Sequence, residues 1–352
     1  MKNRNTFIFI TILSTVACIL VVWRFIIVPR LSQNAPNQSL GPLPSPTLVQ
    51  YPQNTDLVVQ IAIPNQDFQN LPKTLSVYRY LPALINQDEL TRLTNILDYK
   101  ATLKKITNPQ STIYYEALAS DSQLRVYDSG FLSYKFYTNS DPTLKSPTSL
   151  PSPEQAITKT KDLFTKLNPH TNDLTFSATT TYFVINPSEY DLVDKPEGAD
   201  GILVTLTPTI NKLPLKNPDP NQDIITARVG TNSRLLEINT PLFSLETSQS
   251  GTYPLKNSDQ IKQDLQNKQG VLVSLENSVV TPGSLLDIPL QSIIINKLEL
   301  AYLDDQTNHL FQPIYVLLGT ITTQSGQTTT GILYLPAVVN PVPSGTGATP
   351  AP

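Results

Sequence analysis

SPEQAITKTKDLFTKLNP, residues 152–169, holds the clearest helix of the chain, and the strand-like sequence after it decides the fold. Ser152 suits the N-cap, Pro153 the first helical position, and Gln155 stands where a capping box is closed. Ala156, Ile157, Leu163, Phe164 and Leu167 recur on one face, and Asn168 with Pro169 stops the helix. Segments rich in Thr, Val, Ile and Tyr then fill 174–185, 202–209 and 224–238. The order recurs on either side. Upstream, Asn86 and Glu89 have capping-box spacing, Leu90, Leu93, Ile96 and Leu97 form a stripe, and strand signals come at 111–118, 123–127 and 132–137. Downstream, a short helix from Asn257 or Ser258 carries Ile261 and Leu265 and ends at Gly270. Strands are expected after it at 271–275, 292–302, 312–323 and 327–335, with a hairpin at Ser325 and Gly326. Within 292–302, Leu298, Leu300 and Tyr302 share one face, and Lys297, Glu299 and Ala301 share a wet one. The recurrence predicts an α+β protein of three modules, at 55–140, 150–248 and 252–340, each a helix laid on an antiparallel sheet.

The front of the chain predicts a membrane anchor. An apolar run over 6–23 continues through 25–28, with Lys2 and Arg4 before it. It meets the ~20 apolar residues of a spanning helix and exceeds the ~7 to 15 of a signal-peptide core, and no small-residue cleavage site closes it. Residues 1–30 are thus expected to be a cytoplasmic tip and a transmembrane helix ahead of the modules. Trp23 and Arg24 suit the far interface, although Arg24 and Arg30 weaken the charge asymmetry that sets orientation. The bulk of the chain is expected outside the cell membrane. Cys18 is the single cysteine. A lipoprotein reading fails because Thr15 stands where a leucine is needed and apolar sequence continues past Cys18. Residues 31–54, with Pro36, Pro42, Pro44, Pro46 and Pro52, read as a semi-rigid linker, and 341–352 as a disordered tail.

Charge narrows the partners. All 28 acidic residues lie beyond residue 30 against 21 of the 25 basic ones, a balance of −7 with no basic stripe, so nucleic acid is not an expected ligand. The four remaining basic residues are Lys2, Arg4, Arg24 and Arg30.

Nucleophilic hydrolysis finds no support: there is no G-x-S-x-G, no S-x-x-K and no cysteine past the anchor. His170 and His309 sit in polar connections and receive no role. Asn217, Asp219, Asn221 and Asp223 alternate through KNPDPNQD like the first ligands of a calcium loop, but Gln222 replaces the turn glycine and Arg228 falls where a closing glutamate belongs. Asp304 and Asp305 are adjacent, and would point apart in a strand or be solvated in a turn. Tyr114, Tyr115, Tyr127, Phe131, Tyr134, Phe136 and Tyr137 crowd the first module, and period-two spacing sends some of them outward, where tyrosine favours recognition. No catalytic, cofactor or metal residue is assigned.

LELAY at 298–302, LFQPIYVLLG at 310–319, LYLPAV at 333–338 and SPEQAI at 152–157 resemble a pattern of the YycH/YycI family of membrane-anchored regulators and related PepSY-like domains. The resemblance covers the last half of the chain. It implies one amino-terminal helix anchoring extracytoplasmic α+β modules that regulate a sensor histidine kinase by contact. The expected function is that of a non-enzymatic, single-pass envelope protein working by protein–protein interaction, with a sensor kinase or peptidase as the regulated partner. The alternative is a cell-surface module binding glycan or wall polymer. Oligomeric state stays open.

Overall fold

The computed structural model describes residues 37–48, 58–108, 112–137, 150–186, 189–220, 222–275 and 290–339. Among the described residues, seventeen strands are joined by continuous hydrogen-bonded pairing. They are β1 (Val58–Ile61), β2 (Thr74–Pro82), β3 (Lys104–Thr107), β4 (Ile113–Leu118), β5 (Ser122–Tyr127), β6 (Phe131–Phe136), β7 (Thr175–Asn186), β8 (Glu189–Val193) and β9 (Gly201–Ile210). β10 (Leu213–Lys216), β11 (Ile225–Gly230), β12 (Leu235–Pro241), β13 (Phe243–Pro254), β14 (Val271–Leu275), β15 (Leu290–Asp305), β16 (Leu310–Thr323) and β17 (Thr328–Pro336) complete them. Among the described residues the helices are Asn65–Gln69, Gln87–Ile96, Pro153–Leu167 and Ser258–Gln266.

One antiparallel sheet runs β3–β4–β5–β6–β12–β11–β9–β7–β8. The other runs β14–β17–β16–β15–β1, with β1 parallel to β15. The long β15–β16 hairpin ties the two together. β10, which leaves β9 as a hairpin, lies parallel to the end of β15 through Leu215↔Tyr302 and Lys216↔Leu303. At the start of β16, Leu310↔Arg79 and Phe311↔Tyr78 bring in β2, and β2 carries β13 on its other side. Around this junction Tyr78, Tyr80, Phe243, Tyr302 and Phe311 share a core with Phe164 of the 153–167 helix.

The α+β expectation is therefore corrected. Strands form 53% of the structure and helices 16%, in a large mixed sheet rather than repeated helix-on-sheet modules. The expected helices exist, with the capping boxes at Ser152 and Asn257 formed and Asn86 accepting from the Glu89 amide. What separates the fold from a row of modules is non-local pairing: β6 with β12, β2 with β13, β10 with β15 and β2 with β16. Hairpins are written in local sequence, whereas these ladders join residues far apart in the chain. Among the described residues, no helix is long and apolar enough to cross a membrane. The run at 6–28 expected to do so lies outside them, as do Cys18 and the 341–352 tail.

Two smaller expectations also change. The run 224–238 is two strands, broken at Thr231–Ser233, where Asn232 and Ser233 adopt φ of 55° and 56°. The face of β15 expected to be wet is wet only through Lys297 and Glu299, which are exposed and pair at 2.6 Å. Beyond them Ala301 and Leu303 are buried with Ile314, Val316 and Tyr334, and Leu48 packs on that cluster. Part of the proline-rich stretch thus covers the sheet instead of standing off it as a spacer. Leu43 is 3% exposed, Tyr253 Oη donates to the Gly41 carbonyl at 2.8 Å, and Gln312 Nε2 donates to the Pro44 carbonyl at 3.2 Å.

A polar clamp fixes the 153–167 helix. Buried Asn168 donates through Nδ2 to the Phe164 and Pro241 carbonyls at 3.3 and 3.2 Å and accepts the Phe243 amide at 2.8 Å. Arg92, from the 87–96 helix, donates to the Lys166 and Leu167 carbonyls at 2.9 and 2.8 Å, satisfying acceptors a helix end leaves open.

Candidate functional site

Strict alternation in β5 sends Leu124 and Val126 into the core and Gln123, Arg125 and Tyr127 to the outer face. The register then sets Tyr114, Tyr127 and Phe131 directly opposite one another on β4, β5 and β6. Their rings make a continuous ladder, 5.5 Å apart at 34° and then 6.0 Å apart at 58°. All three stay partly exposed. Along the same face Arg125 pairs with Glu116 at 2.7 Å and sits 5.8 Å from the Tyr114 ring. Tyr115 and Tyr134 turn the other way and pack against the inner core, as period-two spacing requires, and Phe136 is buried.

The ladder ends at a cleft of about 420 Å³ at the junction of the sheets, a size suited to a small ligand or a side chain. The cleft is lined by Tyr127 and Phe131, by Asn217 and Asp223 from the β10–β11 connection, and by Asp304 near the end of β15 with Gln306 from the turn after it. Among the described residues no Lys, Arg or His lines it. Asp223 Oδ2 accepts from Thr205 Oγ1 at 3.2 Å. The alternating KNPDPNQD pattern folds on itself: the Asp219 amide donates to Asn217 Oδ1 at 3.0 Å and Gln222 Nε2 to Asp219 Oδ2 at 2.9 Å. Asn221 lies outside the described residues. Among those described, no group of three or more His, Cys, Asp or Glu could hold a metal ion.

Asp304 and Asp305 do point apart on β15, but neither is solvated; they are 6% and 0% exposed. Asp305 is fully engaged, its Oδ2 accepting from Asn308 Nδ2 at 2.8 Å and Gln312 Nε2 at 2.9 Å. Asp304 is not. Its Oδ2 accepts a long 3.3 Å bond from Gln306 Nε2, the Tyr80 hydroxyl lies close enough to favour its charged form, and Oδ1 makes no hydrogen bond of its own. Burial pushes the Asp304 carboxyl above its ordinary range and Asp305 adds to that, against the pull of Tyr80, Gln306 and His309. Burial and then the Asp304 charge push the Tyr80 hydroxyl up in turn.

His309, at φ 52°, is exposed and edges the Tyr80 ring at 5.6 Å; His170 is exposed in its connection. A second concavity of about 660 Å³ lies over Ile96, Leu97, Leu163 and Leu235, where burial and then Lys166 push Lys159 down.

The sequence reading held Asp223, Asp304, Tyr127 and Phe131 in view but gave no reason to place them together. Spacing carries no such signal, because the cleft needs β6, β10, β11 and β15 to meet. No protein-family model, curated protein or solved structure matches the chain.

Proposed function

We propose that the chain is a non-enzymatic binding protein of the cell envelope, held at the membrane by its apolar amino-terminal run, whose β4–β6 face docks a protein partner. The observation that carries this is the half-exposed ladder Tyr114–Tyr127–Phe131, which leads into a concave acidic cleft. Aromatic side chains offer large contact area with few torsions to freeze, and interfaces are enriched in them. An aromatic ladder with a cleft at its end is flat enough for a protein surface and gives one projecting residue a socket. The family resemblance points to a membrane sensor kinase as the partner, and a membrane peptidase is the other candidate.

Crosslinking in whole cells tests it. The wild-type chain should give one discrete adduct with a membrane protein, identified by mass spectrometry, and the Tyr114→Ala/Tyr127→Ala variant should lose that adduct while keeping the parental melting temperature within about 3 °C. An adduct that survives the double substitution would refute docking on this face. Digestion of the folded part by protease added to intact spheroplasts checks its exposure outside the membrane.

A further inference from the structure

The cleft holds a carboxylate that the fold leaves unsatisfied. Asp304 is 6% exposed, it lines the cleft, and its Oδ1 has no hydrogen-bonding partner. Removing a charged oxygen from water without a partner costs several kcal/mol, and folds ordinarily remove the charge or supply a cation. Here no cationic side chain among the described residues lines the cleft, and burial shifts the Asp304 carboxyl toward its neutral form. Its neighbour Asp305 shows that the same turn can satisfy a buried carboxylate, through Asn308 and Gln312. A second carboxylate, Asp223, also lines the cleft, with Thr205 as its donor. Two aromatic residues, Tyr127 and Phe131, line it as well.

From this arrangement we infer that the cleft is a socket for a cationic side chain, a lysine or arginine projecting from the docked partner, with Asp304 as its buried counter-ion and Asp223 as the second acceptor. The inference rests on the docking reading and names the chemistry at its centre. An ammonium or guanidinium in the cleft offers the Asp304 carboxylate a charge-assisted hydrogen bond. Its aliphatic stem and charge both suit the Tyr127 and Phe131 rings that line the cleft, the stem by contact and the charge by cation–π attraction. A neutral sugar would bring hydroxyl donors but no charge to offset two carboxylates. A calcium ion takes 6 to 8 oxygen ligands, and the described residues supply too few acidic ones.

Saturation-transfer NMR on the full-length chain decides it, because it reads weak ligands on a large protein. The probes are the capped tripeptides acetyl-Gly-Lys-Gly-amide and acetyl-Gly-Arg-Gly-amide, with the norleucine analogue as the uncharged control. Transfer to the side-chain methylenes of at least one cationic peptide is expected, at least tenfold above the control, and Asp304→Asn should cut it at least tenfold. Because that substitution removes an unpaired buried charge, its melting temperature should equal or exceed the parent's. Should Asp304→Asn fail to fold, Asp223→Asn carries the same test: at least threefold weaker transfer supports the socket and unchanged transfer overturns it. Absence of transfer from both cationic peptides, equal transfer from norleucine, or Asp304-dependent binding of calcium chloride or an N-acetylglucosamine tetramer instead would each overturn it. The two readings fail separately. Peptide binding that persists while the crosslinked adduct ignores Tyr114→Ala/Tyr127→Ala sinks the docking face alone, whereas the reverse pattern sinks the socket alone.

Discussion

Asn168→Ala should be among the costlier single substitutions, because one amide joins three pieces of chain. Its Nδ2 reaches the Phe164 carbonyl of its own helix and the Pro241 carbonyl at the end of β12, and its Oδ1 takes the amide of Phe243 at the start of β13. The residue is 1% exposed, so water does not replace what alanine removes. Two long bonds to carbonyls are worth about 1 kcal/mol between them, and an orphaned buried N–H at Phe243 costs about 1 to 3 kcal/mol more, which sums to about 3 kcal/mol. In a chain of this size that lowers the melting temperature by about 4 to 6 °C. Urea unfolding followed by circular dichroism measures it directly, as a lower midpoint at unchanged slope. Asn168→Asp keeps the acceptor for Phe243 but turns a second carboxylate oxygen against two carbonyls, so near neutral pH it should cost at least as much as alanine. A loss below about 1 kcal/mol for Asn168→Ala would show that the helix is held by apolar packing alone and that the clamp contributes nothing.

Arg92→Met keeps most of the aliphatic stem and strips the donors from the Lys166 and Leu167 carbonyls; with the side chain 33% exposed, urea titration should show a loss of about 1 kcal/mol. Gly319→Ala should be at least 2 kcal/mol more damaging than Gly331→Ala by the order of overpacking costs, since a Cβ at 319 would lie 2.6 Å from the Ile294 backbone oxygen while one at 331 meets the movable Ile321 side chain. Equal melting temperatures would refute that difference. Asp304 also sets a pH dependence. Its folded pKa is raised above the unfolded value, so its contribution is fully present below pH ~4 and is lost as pH rises through the folded pKa. The groups facing it, Tyr80, Asp305, Gln306 and His309, are common to both proteins, so the melting-temperature difference between Asp304→Asn and the parent should widen in the variant's favour from pH ~4 upward. A difference that is flat with pH would mean Asp304 titrates as it does unfolded.

How far the fold was legible depends on the range of each signal. Capping residues and turn glycines act within a few positions, and the helices at 87–96, 153–167 and 258–266 lie where Asn86, Ser152 and Asn257 place them. Alternation acts over a strand and found most of β4–β7, β9, β14, β16 and β17. β2 and β13 escaped notice because their ladder joins Thr74–Pro82 to Phe243–Pro254 across most of the chain, through a register shift between Leu245 and Ser250. Asn168 shows the limit in one residue: its place after an amphipathic run marks a helix stop, but nothing local says that its side chain will bridge to Pro241 and Phe243.

The candidate site was less legible than the fold for the same reason, carried one level further. Tyr114, Tyr127 and Phe131 could be put on an outer face by period two, yet their alignment into a ladder needs the registers of β4, β5 and β6. Asp304 looked like a solvated turn residue because sequence showed the β15–β16 hairpin ending near Tyr302, and the three further residues that pair, through Asp305↔Leu310, are what bury it. An unsatisfied carboxylate is a cost no local rule would choose. A fold that bonds Asp305 through Asn308 and Gln312 while leaving Oδ1 of Asp304 bare one residue away has the means to satisfy a buried charge in this turn. That contrast, between two neighbours of the same chemistry, sets Asp304 apart as the less satisfied carboxylate lining the cleft, and it is why a partner's cation is the group to test there.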